Sequence, residues 1–216
     1  MSTVHDHDDA GAHAPIENDS VEPDYFDVLQ QSIRELLVEK ELIGAGEVRA
    51  AVEVLDAHGP MLGAALVAHA WSDPDFKRRL LADGTAAIIE FGIDDYDGTR
   101  LIALEQTPQV HNLVVCTLCS CYPRPVLGLP PDWYKSRPYR ARAVREPRAL
   151  LREFGTEVPD DVTIRVHDSN ANMRYLVVPM QPAGTEDWPE DRLSALVTRD
   201  SMIGVTIAEV PRPVSR

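Results

Sequence analysis

His111-Asn112-Leu113-Val114-Val115-Cys116-Thr117-Leu118-Cys119-Ser120-Cys121 is the stretch on which the reading of this chain turns. Its first half is an apolar, β-branched run and reads as a buried strand. That strand feeds directly into Cys-x-x-Cys-x-Cys, which holds all three cysteines of the chain. An odd, tightly clustered count argues against a disulfide framework and for a metal or redox site. Three sulfurs on one short loop can converge on a single soft ion. A loop held partly buried by its strand makes uncompensated thiolates costly. Structural zinc normally takes four ligands in two separated pairs, and no second Cys or His pair lies nearby. A redox Cys-x-x-Cys would leave Cys121 unexplained. A low-spin ion completed by backbone nitrogens, or three buried structural cysteines, complete the set. Spacing does not choose among these readings.

Moving outward, Arg100–Leu104, Val162–Val166 and Arg174–Val178 read as further strands. The stretch from Pro123 to Pro131, with Pro125, Gly128 and Pro130, reads as rigid and irregular. Helices are expected at 131–142 and 147–154, and another near 189–198 that ends before Ser201. The first half is helical. Asp24 caps a helix over 24–43, with Leu29, Ile33, Leu36 and Leu37 on one face. Further helices are expected at 47–57, at 61–71, after the Ser72-Asp73-Pro74 cap, and at 84–91. The predicted fold class is α+β, with boundaries at 1–23 for a disordered acidic tail, 24–97 for a helical arm and connecting helices, and 98–210 for the metal-binding catalytic domain. The apolar faces at 24–71 lack a local core, which predicts packing on a partner chain.

The 216 residues are 44 % apolar, enough for a packed core. No run of about 18 apolar residues is present, so no membrane association is expected. The N-terminal stretch has neither a basic nor an apolar signal segment, and a cytoplasmic location is expected. A net charge of −14 speaks against nucleic acid as a partner. The charge is unevenly placed. Residues 1–27 hold eight acids and no Lys or Arg, whereas 135–152 hold seven bases against Glu146 alone.

Val115–Pro123 as a whole resembles the α-subunit signature of nitrile hydratases. The likeness extends through Val126–Ser136, Tyr139–Arg142, Val144–Arg148, Arg174-Tyr175, Pro182–Glu186 and Val197–Gly204, and upstream through Leu80–Ala86. It spans roughly residues 28 to 207. The resemblance implies a helical arm followed by a layered α/β sandwich that carries the metal loop. It implies one low-spin trivalent metal held by the sulfurs of Cys116, Cys119 and Cys121 and the deprotonated backbone nitrogens of Ser120 and Cys121. Cys119 would become a sulfinate and Cys121 a sulfenate, with Cys116 remaining a thiolate. Thr117 resembles the cobalt class, so Co3+, one per chain, is expected, with iron as the second choice. Such a site carries a net charge of about −2 by counting, and a dry site of that charge needs cations nearby. The basic segment at 135–152 is the candidate source.

The implied function is hydration of a nitrile to its amide, with Cys121 and Ser120 as the catalytic candidates. The implied partners are one or two β-type subunits, a small nitrile and a cobalt-insertion activator protein. One departure stands out: nitrile hydratases commonly carry Trp where this chain has Arg124. Cys121-Tyr122-Pro123-Arg124-Pro125 is instead similar to the thiocyanate hydrolase γ subunit, as is Asp168-Ser169-Asn170. Gly128–Pro131 and Arg145–Pro147 follow the nitrile hydratase wording, and the longer insertion before the cysteines is absent. Arg124 is therefore a candidate substrate-binding residue for a polar, heterocyclic or anionic substrate. The alternatives are thiocyanate hydrolysis to carbonyl sulfide and ammonia, and a metal carrier inactive until assembled.

Overall fold

The computed structural model describes residues 25–44, 46–48, 59–93, 98–118 and 121–211. The predicted tail and nearly all of the helix expected at 47–57 lie outside them. The strands form where the sequence places them: β1 is Arg100–Glu105, β2 Val110–Val115, β3 Thr163–Asp168 and β4 Met173–Val178. Their pairing does not follow chain order. β1 pairs in parallel with β4, and β2 with β3. The two ribbons meet through β2 and β4. Parallel pairing requires long crossovers, and the segment between β2 and β3 supplies one made of four helices: α5 (Arg124–Leu127), α6 (Asp132–Lys135), α7 (Arg137–Arg145) and α8 (Pro147–Glu153). The result is a layered α+β arrangement.

Preceding the strands are α1 (Tyr25–Glu39), α2 (Pro60–Ser72), α3 (Pro74–Ala82) and α4 (Gly84–Glu90). After them come α9 (Glu190–Ser194) and α10 (Arg199–Ile203). Asp73 caps α3 as expected, accepting from the backbone N–H of Asp75 and Phe76. Those two hydrogen bonds favour the ionised form, the Phe76 bond most, and hold the Asp73 carboxyl below its usual range. Asp83 caps α4 in the same way through Ala86.

Two helices end differently from the expectation. The predicted 131–142 helix is broken into α6 and α7, because Ser136 leaves the helical conformation and caps the next helix while Pro138 occupies its first turn. The helix expected near 189–198 stops at Ser194, and Thr198 starts α10 with a reciprocal capping box to Ser201.

The helical arm also differs in extent. α2 is apolar nearly all round and buries Leu66, Val67, Ala68, Ala70 and Trp71 inside this chain, packed on α5, α9 and α10. Gly63 permits the approach to α5, since a Cβ there would lie 2.9 Å from the Val126 carbonyl oxygen and 2.7 Å from Met202 Sδ. The apolar face left exposed is that of α1, where Tyr25, Ile33 and Leu36 are open to solvent. Among the described residues no helix is long and apolar enough to cross a membrane.

A polar network ties the ribbons together. His111 Nε2 donates to the Gly204 carbonyl at 2.7 Å; because the carbonyl can only accept, this nitrogen carries the proton. Asn112 gives its amide to the Glu105 carbonyl at 2.7 Å, and its Oδ1 lies 2.9 Å from His167 Nε2. Burial holds His111 below the usual histidine range, with the Gly204 bond opposing and the Arg148 charge adding. Burial and Arg165 lower His167 as well. Gly204 ends α10 in the left-handed region, at φ 87°, with its Cα against β2.

Two predictions arise here. A Cβ at Gly204 would fall 2.0 Å from the Asn112 carbonyl oxygen. Gly204→Ala is expected to lower stability by roughly 2–5 kcal/mol, combining left-handed backbone strain with overpacking, measured as the shift of the urea midpoint. The second concerns pH. Both histidines have folded pKa values below the unfolded value of about 6.5, so the unfolded chain takes up protons first. Their contribution is full above about pH 6.5 and is lost as pH falls below it. Melting temperature should drop between about pH 7 and 5.5, and the His111→Gln, His167→Gln double variant should show a shallower drop. Equal slopes would refute the assignment.

Candidate metal centre

The cysteine segment begins where β2 ends. Cys116 is fully buried, Cys121 is half-buried at the far end, and Leu118 between them is 86 % exposed. Cys119 and Ser120, which carry two of the five predicted ligating atoms, lie outside the described residues. Among the described residues no group of three or more His, Cys, Asp or Glu is arranged to hold a metal ion. The loop itself is the segment on which a metal site has to be judged.

Its ends are held by side chains from three elements and by one backbone N–H. The Tyr139 hydroxyl of α7 donates to the Val114 carbonyl at 2.7 Å, and Ser169 N–H donates to the Val115 carbonyl at 2.7 Å. The carboxylate of Asp168, the last residue of β3, accepts twice from Thr117: from its N–H at 2.9 Å and from its hydroxyl at 2.5 Å. Arg140 of α7 reaches the Thr117 carbonyl at 3.4 Å. Beyond the cysteines, the Tyr134 hydroxyl of α6 donates to the Cys121 carbonyl at 2.9 Å.

Under the loop lies an aromatic floor. Trp133 packs edge-on against Tyr139 and Phe154, both at 4.9 Å between ring centres, and Tyr122 against Tyr134 at 5.1 Å. Burial pushes the Tyr122, Tyr134 and Tyr139 phenols up, and at Tyr134 the neighbouring Cys116 adds to it. The phenols therefore stay protonated, and Tyr134 and Tyr139 remain donors to the loop backbone.

The basic segment divides in its use. Lys135 pairs with Asp132, Arg142 with Glu146 and Glu153, and Arg148 donates to the carbonyls of Val158, Pro159 and Val162. Arg137, Arg140 and Arg145 instead line, with Thr117, Ala141 and Val144, a hollow of about 380 Å³ beside the loop. Three of the seven bases thus face the side of the loop where an anionic metal centre would need cations. Arg124 is exposed at the first position of α5, with its N–H bonded to the Tyr122 carbonyl at 2.9 Å.

A thiol buried at one end, a second at the mouth, a backbone held from both sides and a cationic wall fit a soft-ligand metal site. Asp168, Tyr134 and Tyr139 were not singled out as loop partners from sequence. Asp168 lies two residues beyond the strand expected at Val162–Val166, its partner is 51 residues away in the chain, and no local pattern marks it.

Comparison with known proteins gives a consistent picture. The family model described as nitrile hydratase, alpha chain, matches residues 24–206. The chain is 52 % identical over 182 residues to the low-molecular-weight cobalt-containing nitrile hydratase subunit α of Rhodococcus rhodochrous, covering 84 % of this chain and 88 % of that one. It is 44 % identical over 201 residues to the thiocyanate hydrolase subunit γ of Thiobacillus thioparus, covering 87 % and 81 %. Its fold superposes with a TM-score of 0.80 on a double histidine-to-alanine mutant of the Fe-type nitrile hydratase of Comamonas testosteroni Ni1, at 39 % identity, covering 89 % of this chain and 98 % of that one.

Proposed function

The chain belongs to the nitrile hydratase α-chain family, and on that premise we propose that it is the metal-bearing subunit of a cobalt nitrile hydratase that acts on a polar nitrile. The observation that carries this reading is the strapped loop, with buried Cys116 at one end, Cys121 at the mouth and three arginines alongside. Cys116, Cys119 and Cys121 would hold the ion through sulfur, and Ser120 and Cys121 through backbone nitrogen. Cobalt is favoured because the similar R. rhodochrous subunit is named as cobalt-containing. When bound, the ion supplies Lewis acidity toward the nitrile and activation of water.

The chain's own groups account for the rest. Arg137, Arg140 and Arg145 offset the negative charge of the sulfurs, and a desolvated anionic site is not tolerated without such cations. Ser120 would orient substrate or water by its hydroxyl, and an oxygen on Cys121 would sit at the open side. In the overall reaction water adds across C≡N: its oxygen bonds to carbon and its two protons end on nitrogen, which yields the amide. The apolar face of α1, exposed here, is where a β-type subunit would dock and complete the pocket. By this reading the chain is inactive alone.

A second reading is favoured by one residue. Arg124 departs from the nitrile hydratase pattern toward that of the thiocyanate hydrolase γ subunit, and the chain is similar to both. An exposed guanidinium three residues after Cys121 suits an anion such as thiocyanate as well as a nitrile bearing acceptor groups.

The test is coexpression with the β-type partner or partners in cobalt medium, followed by metal analysis and by side-by-side assay of aliphatic, heterocyclic and thiocyanate substrates. About one cobalt per chain is expected, with mass spectrometry showing added oxygen on Cys119 and Cys121 and none on Cys116. Tetrahedral zinc on the cysteines after growth in cobalt would overturn the reading. Arg124→Trp is expected to shift preference toward small apolar nitriles by weakening the polar substrate by roughly 1.5–3 kcal/mol. If that variant only lowers the stability of the complex and leaves every substrate ratio unchanged, Arg124 serves the interface and not specificity.

A further inference from the structure

We propose that Asp168 is the positioning residue of the 116–121 loop, holding Thr117 by backbone and hydroxyl together so that the chain beside Cys116 is set before any metal arrives. The proposal rests on the reading of this loop as a metal site.

The parallel register of β2 and β3 places Asp168 opposite Val115. The ladder ends there with the Ser169 N–H bond to the Val115 carbonyl. The backbone that continues past Val115 therefore meets the Asp168 side chain two residues later. One carboxylate oxygen takes the Thr117 N–H and the other takes its hydroxyl. Two contacts to a single residue restrain both its peptide plane and its side-chain torsion, which a single bond does not. Arg140 takes the carbonyl of the same residue from the α7 side, so Thr117 is gripped by an anion and a cation from different elements. Apolar packing cannot substitute for this grip, because the next side chain, Leu118, is almost wholly exposed. Asp168 does not ligate in this proposal; it acts through Thr117 on the direction in which Cys116 leaves the strand. Both residues sit at the mouth in partly exposed positions, so the clasp closes and opens on the folded chain, and its strength is legible in local exchange rather than in global stability.

The test uses the full chain in two states, metal-free and coexpressed with its partner in cobalt medium. In the metal-free chain, Asp168→Ala is expected to speed amide exchange of Thr117 and Leu118 about tenfold while leaving the melting temperature close to that of wild type. Thr117→Val, which removes only the hydroxyl, should give part of that effect, and Thr117→Ser, which keeps it, none. In the complex, Asp168→Ala and Thr117→Val should lower cobalt per chain and shift the sulfur-to-metal absorption band, whereas Thr117→Ser should restore both. Unchanged exchange in Asp168→Ala, or identical behaviour of Thr117→Val and Thr117→Ser in exchange and uptake, overturns the proposal. If wild type itself takes up no cobalt, the metal reading falls, and the exchange comparison in the metal-free chain still decides the clasp: a tenfold difference supports it and equality overturns it.

Discussion

A strand that stops being a strand inside a protein must find new partners for its backbone groups, because a buried N–H or C=O without one costs about as much as a lost hydrogen bond. β2 meets this demand at Val114, Val115, Thr117 and Cys121 with Tyr139, Ser169, Asp168, Arg140 and Tyr134. The partners come from three separate places in the chain: α6, α7 and the end of β3. The crossover helices α6 and α7, the end of β3 and the turn after it are all placed so that the loop can be irregular without being loose. Much of the surrounding architecture follows from that requirement: Tyr134 and Tyr139 need the Trp133 and Phe154 rings beside them to be buried, and Asp168 needs the β2–β3 register.

The same arrangement shows how an acidic chain distributes its bases around the loop. Three of the seven bases at 135–152, Lys135, Arg142 and Arg148, are consumed by structure. Arg142 bridges two glutamates and Arg148 closes the turn before β3 through three carbonyls. Arg137, Arg140 and Arg145 recur on one side of α7 and are left to face the loop. Guanidinium suits this duty, since it keeps its charge at any ordinary pH and is more weakly hydrated than an ammonium group. Opposite in character is α1, whose apolar residues face outward from a chain that has otherwise buried its aliphatic core.

Particular elements show what was legible. β1 to β4 were readable because each is a short run of β-branched and aliphatic residues bounded by turn formers, and the start of α3 because Asp73 is a capping residue followed by proline and helical spacing. The α6–α7 break at Ser136 and the fresh start at Thr198 were carried by equally local signals, a serine cap followed by proline in the first turn and a capping box, but the longer apolar period concealed them. The burial of α2 was misjudged for a different reason. An Ala-rich helix with apolar residues on every side says that it must be covered, and not by which chain.

The family and the order of elements were legible in the sequence alone, because a motif is a covalent pattern and periodicity a local one. The resemblance runs through the same residues that the family model matches, 24–206. Only the tertiary structure decided that β2 lies beside β3 rather than β1, that Asp168 consequently stands over Thr117, and which three arginines look at the loop. Those outcomes depend on parallel register and on how whole helices bury their apolar faces, and such burial is a sum over the entire core rather than a feature of any short stretch of residues.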